Sequence, residues 1–313
     1  VGLSGLIRKK PYTNLGNLVD EIDPVGHWTL WDANKAPQLP RSKEVFEIIG
    51  KHPEKKEHNA GPASNYDDNR KLQAVLAEPN LTLFLNTHVN GATMEGSRIA
   101  SVIAQNIRTS ERMRFNGDLF IDSTGDGNLG VLARADFRVG RESKTETDEG
   151  LAPAVEDQLV MGTSMQWTSR RTAKPSPFPA SLPWAVKFSD KTCVPTKKGD
   201  WNWETGADRD QVKEIEHIRD YALRVIFGNW TVLKNHERFS EEFLNLELSW
   251  IAYIGGKRES RRLMGDVVLK QQDIVEQRPF EDASVTTTWT IDLHHPLQPK
   301  CACDAFRSRA EHL

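Results

Sequence analysis

The residues best suited to chemistry stand in two short runs and one histidine-bearing strand. Thr124-Gly125-Asp126-Gly127 closes a short apolar run, Leu119-Phe120-Ile121. Glycine tolerates the left-handed backbone and lets a ligand approach the main chain. Where such a turn leads from a strand into a helix, free backbone N–H groups can hold a phosphate or another anion. The helix is expected over 128–133, with Asp126 or Asn128 as its cap. Farther on, Arg258-Glu259-Ser260-Arg261-Arg262 follows the glycine pair Gly255-Gly256. Arginine suits planar, bidentate recognition of a carboxylate, which makes Arg258 and Arg261 candidates for contact with a substrate or cofactor. Trp289 to His295 (WTIDLHH) reads as a strand running into two histidines, and the His294 imidazole can give or take a proton near neutral pH.

Each of these has a plainer reading. The turn can be an ordinary strand–turn–helix without a ligand, the arginines a solvated helix face, and His294 a satisfied core histidine. Two other motifs fail on spacing. An EF-hand loop starting at Asp122 needs a glutamate where Ala133 stands. An aspartic-protease turn needs Asp-Thr/Ser-Gly contiguous, and one residue too many lies between Asp122 and Gly125.

The elements that position these residues follow from periodicity. The run 119–121, bounded by turn residues, reads as a strand covered on both faces. Before it, 81–89 and 99–107 alternate as strands, with turn signals at Asn90-Gly91 and Glu95-Gly96, and 110–116 is a polar return. Helices are expected over 14–22, 66–78 and 208–227, the last ended by Gly228-Asn229. Segment 27–31 (HWTLW) is a short strand or contact loop, and 51–65 a polar loop. Strands are expected over 158–167, with a glycine interruption, and over 246–254. Between them, 168–208 is rich in Pro, Ser, Lys and Trp. It reads as a long insertion or the start of a substrate domain, and its tryptophans Trp184, Trp201 and Trp203 either stack on a sugar or staple the loop.

The totals limit the classes of function. The chain has 313 residues with a net charge of −3, which argues against a nucleic-acid binder working by electrostatics. No apolar run approaches the roughly 18 residues of a membrane span. The three cysteines, Cys193, Cys301 and Cys303, are too few for a disulfide framework and read as free thiols in a reducing or neutral compartment. No metal site is expected, because His52 and His58 have no further ligand at suitable spacing.

The strand ending in Asp122-Ser-Thr-Gly-Asp-Gly127, its helix and the following Gly140-Arg141-Glu142 resemble the FAD-dependent oxidoreductases. The likeness is to a large bacterial group related to fumarate-reductase-type flavoproteins and heterodisulfide reductase A subunits. Gly255–Leu269 with Gln271-Gln272-Asp273-Ile274 is similar to a second signature of the same family, as is 289–294. The resemblance implies an α/β fold. An incomplete Rossmann-like FAD-binding domain (1–165) would be followed by a mixed α+β cap or substrate domain (166–313). It further implies FAD as cofactor, with Asp122, Thr124, Gly125, Asp126 and Gly127 as its binding residues and His294, Arg258 and Arg261 as catalytic residues. The expected reaction transfers a hydride between flavin and a small organic substrate, a carbohydrate or a carboxylate. Related heterodisulfide reductase subunits carry iron–sulfur clusters, but no four-cysteine ligand set is present here. Neither the strand–GxGxxG–helix unit nor the C-terminal flavin motif of the family is legible, so the sequence reads as a fragment. The alternatives are a non-catalytic flavin- or sugar-binding module and an inactive remnant. A cytoplasmic location, a homo-oligomer and an unspecified electron acceptor complete the expectation.

Overall fold

The computed structural model describes residue 72 and residues 75–276, 278–280 and 291–312. The features expected over 14–22, 27–31 and 51–65 lie outside these, as does Trp289. Of the helix expected over 66–78, residues 72, 75 and 76 are described and helical.

The first sheet is an antiparallel meander of β1 (Thr87–Glu95), β2 (Arg98–Asn106) and β3 (Arg112–Asn116). Gly96, at φ 60°, turns β1 into β2. Asn90-Gly91, expected as a turn, is instead a register shift inside β1, where Gly91 packs against Ile103. The polar return is itself a strand, because Arg112–Asn116 pairs with Ser101–Gln105 along β2.

The ladder ends at Asn116, and the expected buried strand does not form. Leu119 and Ile121 are 91% and 88% exposed. Among the described residues nothing hydrogen-bonds the backbone of 119–121 and no strand pairs with it. Helix α1 (Asn128–Leu132) does follow, starting from Gly127 at φ 62°.

Short pieces continue the chain: β4 (Phe137–Arg138), α2 (Lys144–Thr147), β5 (Thr163–Ser164) and β6 (Trp167–Arg171). The strand expected over 158–167 is thus split. Strand β6 lies between β7 (Lys198–Gly199) and β9 (Leu246–Ile251), while β5 pairs with β8 (Glu204–Thr205).

Helix α3 (Ile215–Asn235) supplies the core. Ile218, Ala222, Val225, Ile226, Trp230 and Leu233 recur at helical spacing and are buried. From Ala222 onward they pack with Met165, Trp167, Trp203, Phe243 and Leu246. Trp167 meets the rings of Trp203 and Trp230 edge-on, at centroid distances of 5.3 and 5.8 Å. Gly228-Asn229 does not end the helix. Gly228 admits the backbone of Val186, and Asn229 bonds the Val194 main chain through both ends of its amide. Tertiary contacts have claimed two residues whose types usually mark a terminus. Helix α4 (Glu237–Phe243) then leads into β9, and Lys234 donates to the carbonyls of Phe243, Leu244 and Leu246.

The remaining elements are β10 (Arg262–Leu263), paired with β4, then α5 (Gln271–Val275), and the hairpin of β11 (Asp292–Pro296) with β12 (Ser308–His312). In the connection of that hairpin Cys301 and Cys303 are disulfide-bonded, which corrects the expectation of free thiols; the turn holds their Cα atoms 5.4 Å apart, within bonding reach. Cys193 is free and buried, and burial pushes its thiol pKa up. Every strand pair described is antiparallel. No described helix is long and apolar enough to cross a membrane.

Candidate functional site

The turn 122–127 is built by its own side chains. Asp122 accepts from the N–H and hydroxyl of Thr124 at 3.0 and 2.7 Å, and from the Gly130 N–H at 3.1 Å. Burial presses the Asp122 carboxyl upward, but these donors and the Leu129 N–H outweigh it and hold the acid below its ordinary range. Thr124 Oγ1 accepts from Asn128 N at 3.0 Å. Thr124 and Asp122 therefore satisfy the first turn of α1, not the expected caps Asp126 or Asn128. Gly125 stands at φ 78° with open space where a Cβ would be, whereas Leu263 lies 3.0 Å from the corresponding position of Gly127.

The arginine run closes on this turn from 131 or more residues away. Lys257 Nζ lies 2.5 Å from Asp126 Oδ2, and Ser260 donates to Asp126 Oδ1 at 2.6 Å. Arg261 donates to the Asp126 carbonyl at 2.9 Å and to Asn128 Oδ1 at 2.5 Å. The run is not helical, so its residues are not confined to one helix face and reach different neighbours. Arg262 bonds Glu259, the Gly140 carbonyl and Glu142, and Glu259 accepts from Met161 N. Beside them Arg141 pairs with Asp157 through two nitrogens. Gly140-Arg141-Glu142 is thereby tied to the same segment.

Arg258 points away from the turn, into a second cluster. Its guanidinium lies 3.0 Å from Glu204 and 2.9 Å from His294 Nδ1, and it bonds the Trp201 carbonyl at 3.3 Å. His294 also pairs with Glu204 and, at 3.1 Å, with Asp292. Its side chain is 1% exposed beneath Trp201, whose ring centroid is 4.9 Å away. Burial opposes the imidazolium, yet the bonds to Asp292 and Glu204 prevail and raise its pKa above the usual imidazole value. Of the three candidate catalytic residues the structure brings Arg258 and His294 together and leaves Arg261 at the glycine turn.

Sequence reasoning missed Lys257, Ser260, Glu204 and Asp292. Lys257 and Ser260 lay inside the second signature. Glu204 carried no signal, because a lone carboxylate beside a tryptophan has no pattern. The tryptophans of 168–208 divide: Trp203 is 4% exposed, Trp184 49%, and Trp201 covers His294. Among the described residues no His, Cys, Asp and Glu group could hold a metal ion.

A family model described as FAD dependent oxidoreductase matches residues 68–307. No curated protein and no solved structure matches the chain. The chain belongs to the FAD-dependent oxidoreductase family. It is a flavoprotein enzyme whose cofactor is FAD, and membership implies a Rossmann-like α/β fold. The residues of the turn fit that cofactor. Gly125 leaves its space open, and no described group accepts from the Gly125 or Gly127 N–H. The Asp126 carboxylate is neutralised by Lys257, so it does not stand as a bare charge against a phosphate.

Proposed function

We propose that the chain uses FAD to move a hydride to or from a small organic substrate, a carbohydrate or a carboxylate, with the turn 122–127 holding the cofactor. The reading is carried by one observation: the two signature segments meet at Asp126, clasped by Lys257, Ser260 and Arg261. Bound FAD supplies the hydride chemistry. The chain's own residues shape its seat. Asp122 and Thr124 fix the turn, Gly125 leaves room for the cofactor, and Arg261 holds the Asp126 carbonyl. Residues 1–165 would form the incomplete Rossmann-like cofactor unit and 166–313 the cap.

Burial favours a second reading of Arg258 and His294. Both are consumed by Glu204, Asp292 and Trp201, so they staple β11 to β8 and to the arginine run rather than meeting substrate. A His294→Asn variant separates the two readings. Loss of the pH dependence of turnover with an unchanged melting temperature supports proton transfer; a lowered melting temperature with an unchanged profile supports the staple.

The cofactor reading is tested by the visible spectrum of the purified chain after gel filtration, with and without excess FAD. A flavin band that co-elutes, and that Gly125→Val abolishes, supports the turn. A colourless protein sinks it.

A further inference from the structure

Asp126 places a carboxylate between the two glycines of the turn, beside Asp122 four residues earlier. A diphosphate brought to that turn meets two carboxylates. Asp122 is absorbed by the donors of Thr124, Leu129 and Gly130. Asp126 is not held by the turn's own N–H groups at all. Both its oxygens are taken by the distant run, Oδ2 by Lys257 and Oδ1 by Ser260. The pair is partly shielded, with side chains 25% and 12% exposed, so screening by solvent is reduced.

The position of Lys257 is fixed independently of the turn. Gly256 bridges to Ser164 through both backbone groups, at 3.1 and 2.8 Å. Gly255 lies so close to Thr163 that a Cβ would stand 2.5 Å from its methyl. Arg258, directly after Lys257, is anchored on Glu204. Lys257 is therefore presented to Asp126 by anchors outside the turn, Thr163 and Ser164 on one side and Glu204 on the other.

We propose that Lys257 is a positioning residue for the cofactor: it neutralises Asp126, and so makes the Gly125–Gly127 turn acceptable to a diphosphate ester. This role rests on the reading of that turn as the FAD seat. Lys257 acts through Asp126, and Asp126 acts as the charge that must be cancelled rather than as a hydrogen-bond partner of the ligand.

The test is a charge cycle on the full chain, read as dissociation constants for FAD and for ADP, a diphosphate without flavin. Lys257→Met is expected to weaken both by about tenfold or more, since it takes the cation from a carboxylate whose side chain is only 12% exposed. Lys257→Arg is expected to bind as the wild type does. Adding Asp126→Asn to Lys257→Met is expected to return FAD binding to within about threefold of wild type, the mark of two residues acting as one unit. Equal binding by Lys257→Met and wild type, or a double variant as weak as Lys257→Met, overturns the role. Asp126→Asn alone guards against a Lys257→Met chain that does not fold. Binding within about threefold of wild type supports the role, and a loss of about tenfold overturns it by making Asp126 a direct ligand contact. A wild-type chain that binds neither FAD nor ADP overturns the cofactor-turn reading itself, and this role with it. Wild-type binding with an unaffected Lys257→Met overturns this role alone.

Discussion

Gly228 of α3 faces the Val186 carbonyl so closely that a Cβ on it would stand 1.9 Å from the oxygen. That contact seats the segment around 186 on the helix, and Arg224 accepts through its own carbonyl from Val186 N at 3.1 Å one turn earlier. Gly228→Ala cannot be absorbed by a side-chain rotation, because the obstacle is backbone. It is expected to destabilise the chain by about 1–3 kcal/mol despite alanine's better helix propensity. Thermal melting of the variant checks this, and an unchanged or raised midpoint contradicts it.

Glu204 is 3% exposed at its side chain and binds two potential cations, Arg258 and His294. Glu204→Ala leaves the Arg258 charge in the interior with one partner fewer. A loss of about 3–5 kcal/mol is expected from breaking a buried pair on one side. Denaturant unfolding measures it. A loss below about 1 kcal/mol would show that water replaces the carboxylate at no great cost.

The charged cluster also gives stability a pH dependence with a definite sign. The folded-state pKa of His294 is raised above its unfolded value, so the chain gains stability from its protonation. That gain is fully present below the unfolded imidazole pKa and disappears as pH rises through the folded one. His294→Asn should flatten the alkaline side of the stability profile. On the acid side, Asp157 is held down by Arg141, and Asp122 by its donors in the turn. Their contribution is present above the unfolded carboxylate pKa and lost as pH falls through the folded values. Unfolding midpoints measured from acid to alkaline pH test both limbs; a His294→Asn profile that parallels wild type rules out the first.

Asn229 is fully buried and bonds both the N–H and the carbonyl of Val194, at 2.7 and 3.0 Å. Asn229→Ala orphans two main-chain groups at once. A loss of about 2 kcal/mol or more is expected, and Asn229→Asp should retain only the bond from Val194 N. Equal stability of the alanine variant and wild type would mean that the Val194 segment finds other partners.

Local pattern made several elements legible. Alternation located β2 and β9, glycine after a charged residue marked the β1–β2 turn at Gly96, and helical spacing from Ile218 to Ile226 marked α3. The two signature runs identified the family without the fold, because their glycines and arginines are set by what they touch. The misjudged places share a cause. Leu119–Ile121 has the composition of a covered strand, but a strand needs a neighbour to complete its ladder, and among the described residues none does so. Gly228-Asn229 carries the residue types of a helix end, yet Val186 and Val194 use them in mid-helix.

What the sequence determined by itself was the set of groups: a glycine turn with carboxylates, a basic run, a histidine among aromatic and acidic residues. Their side-chain chemistry and local backbone freedom are properties of a few adjacent residues. Only the tertiary structure decided the partnerships. Lys257 and Ser260 lie 131 and 134 residues from Asp126, and His294 lies 90 from Glu204. Charge pairing depends on distance and burial in space, and neither is written in the spacing of residues along a chain.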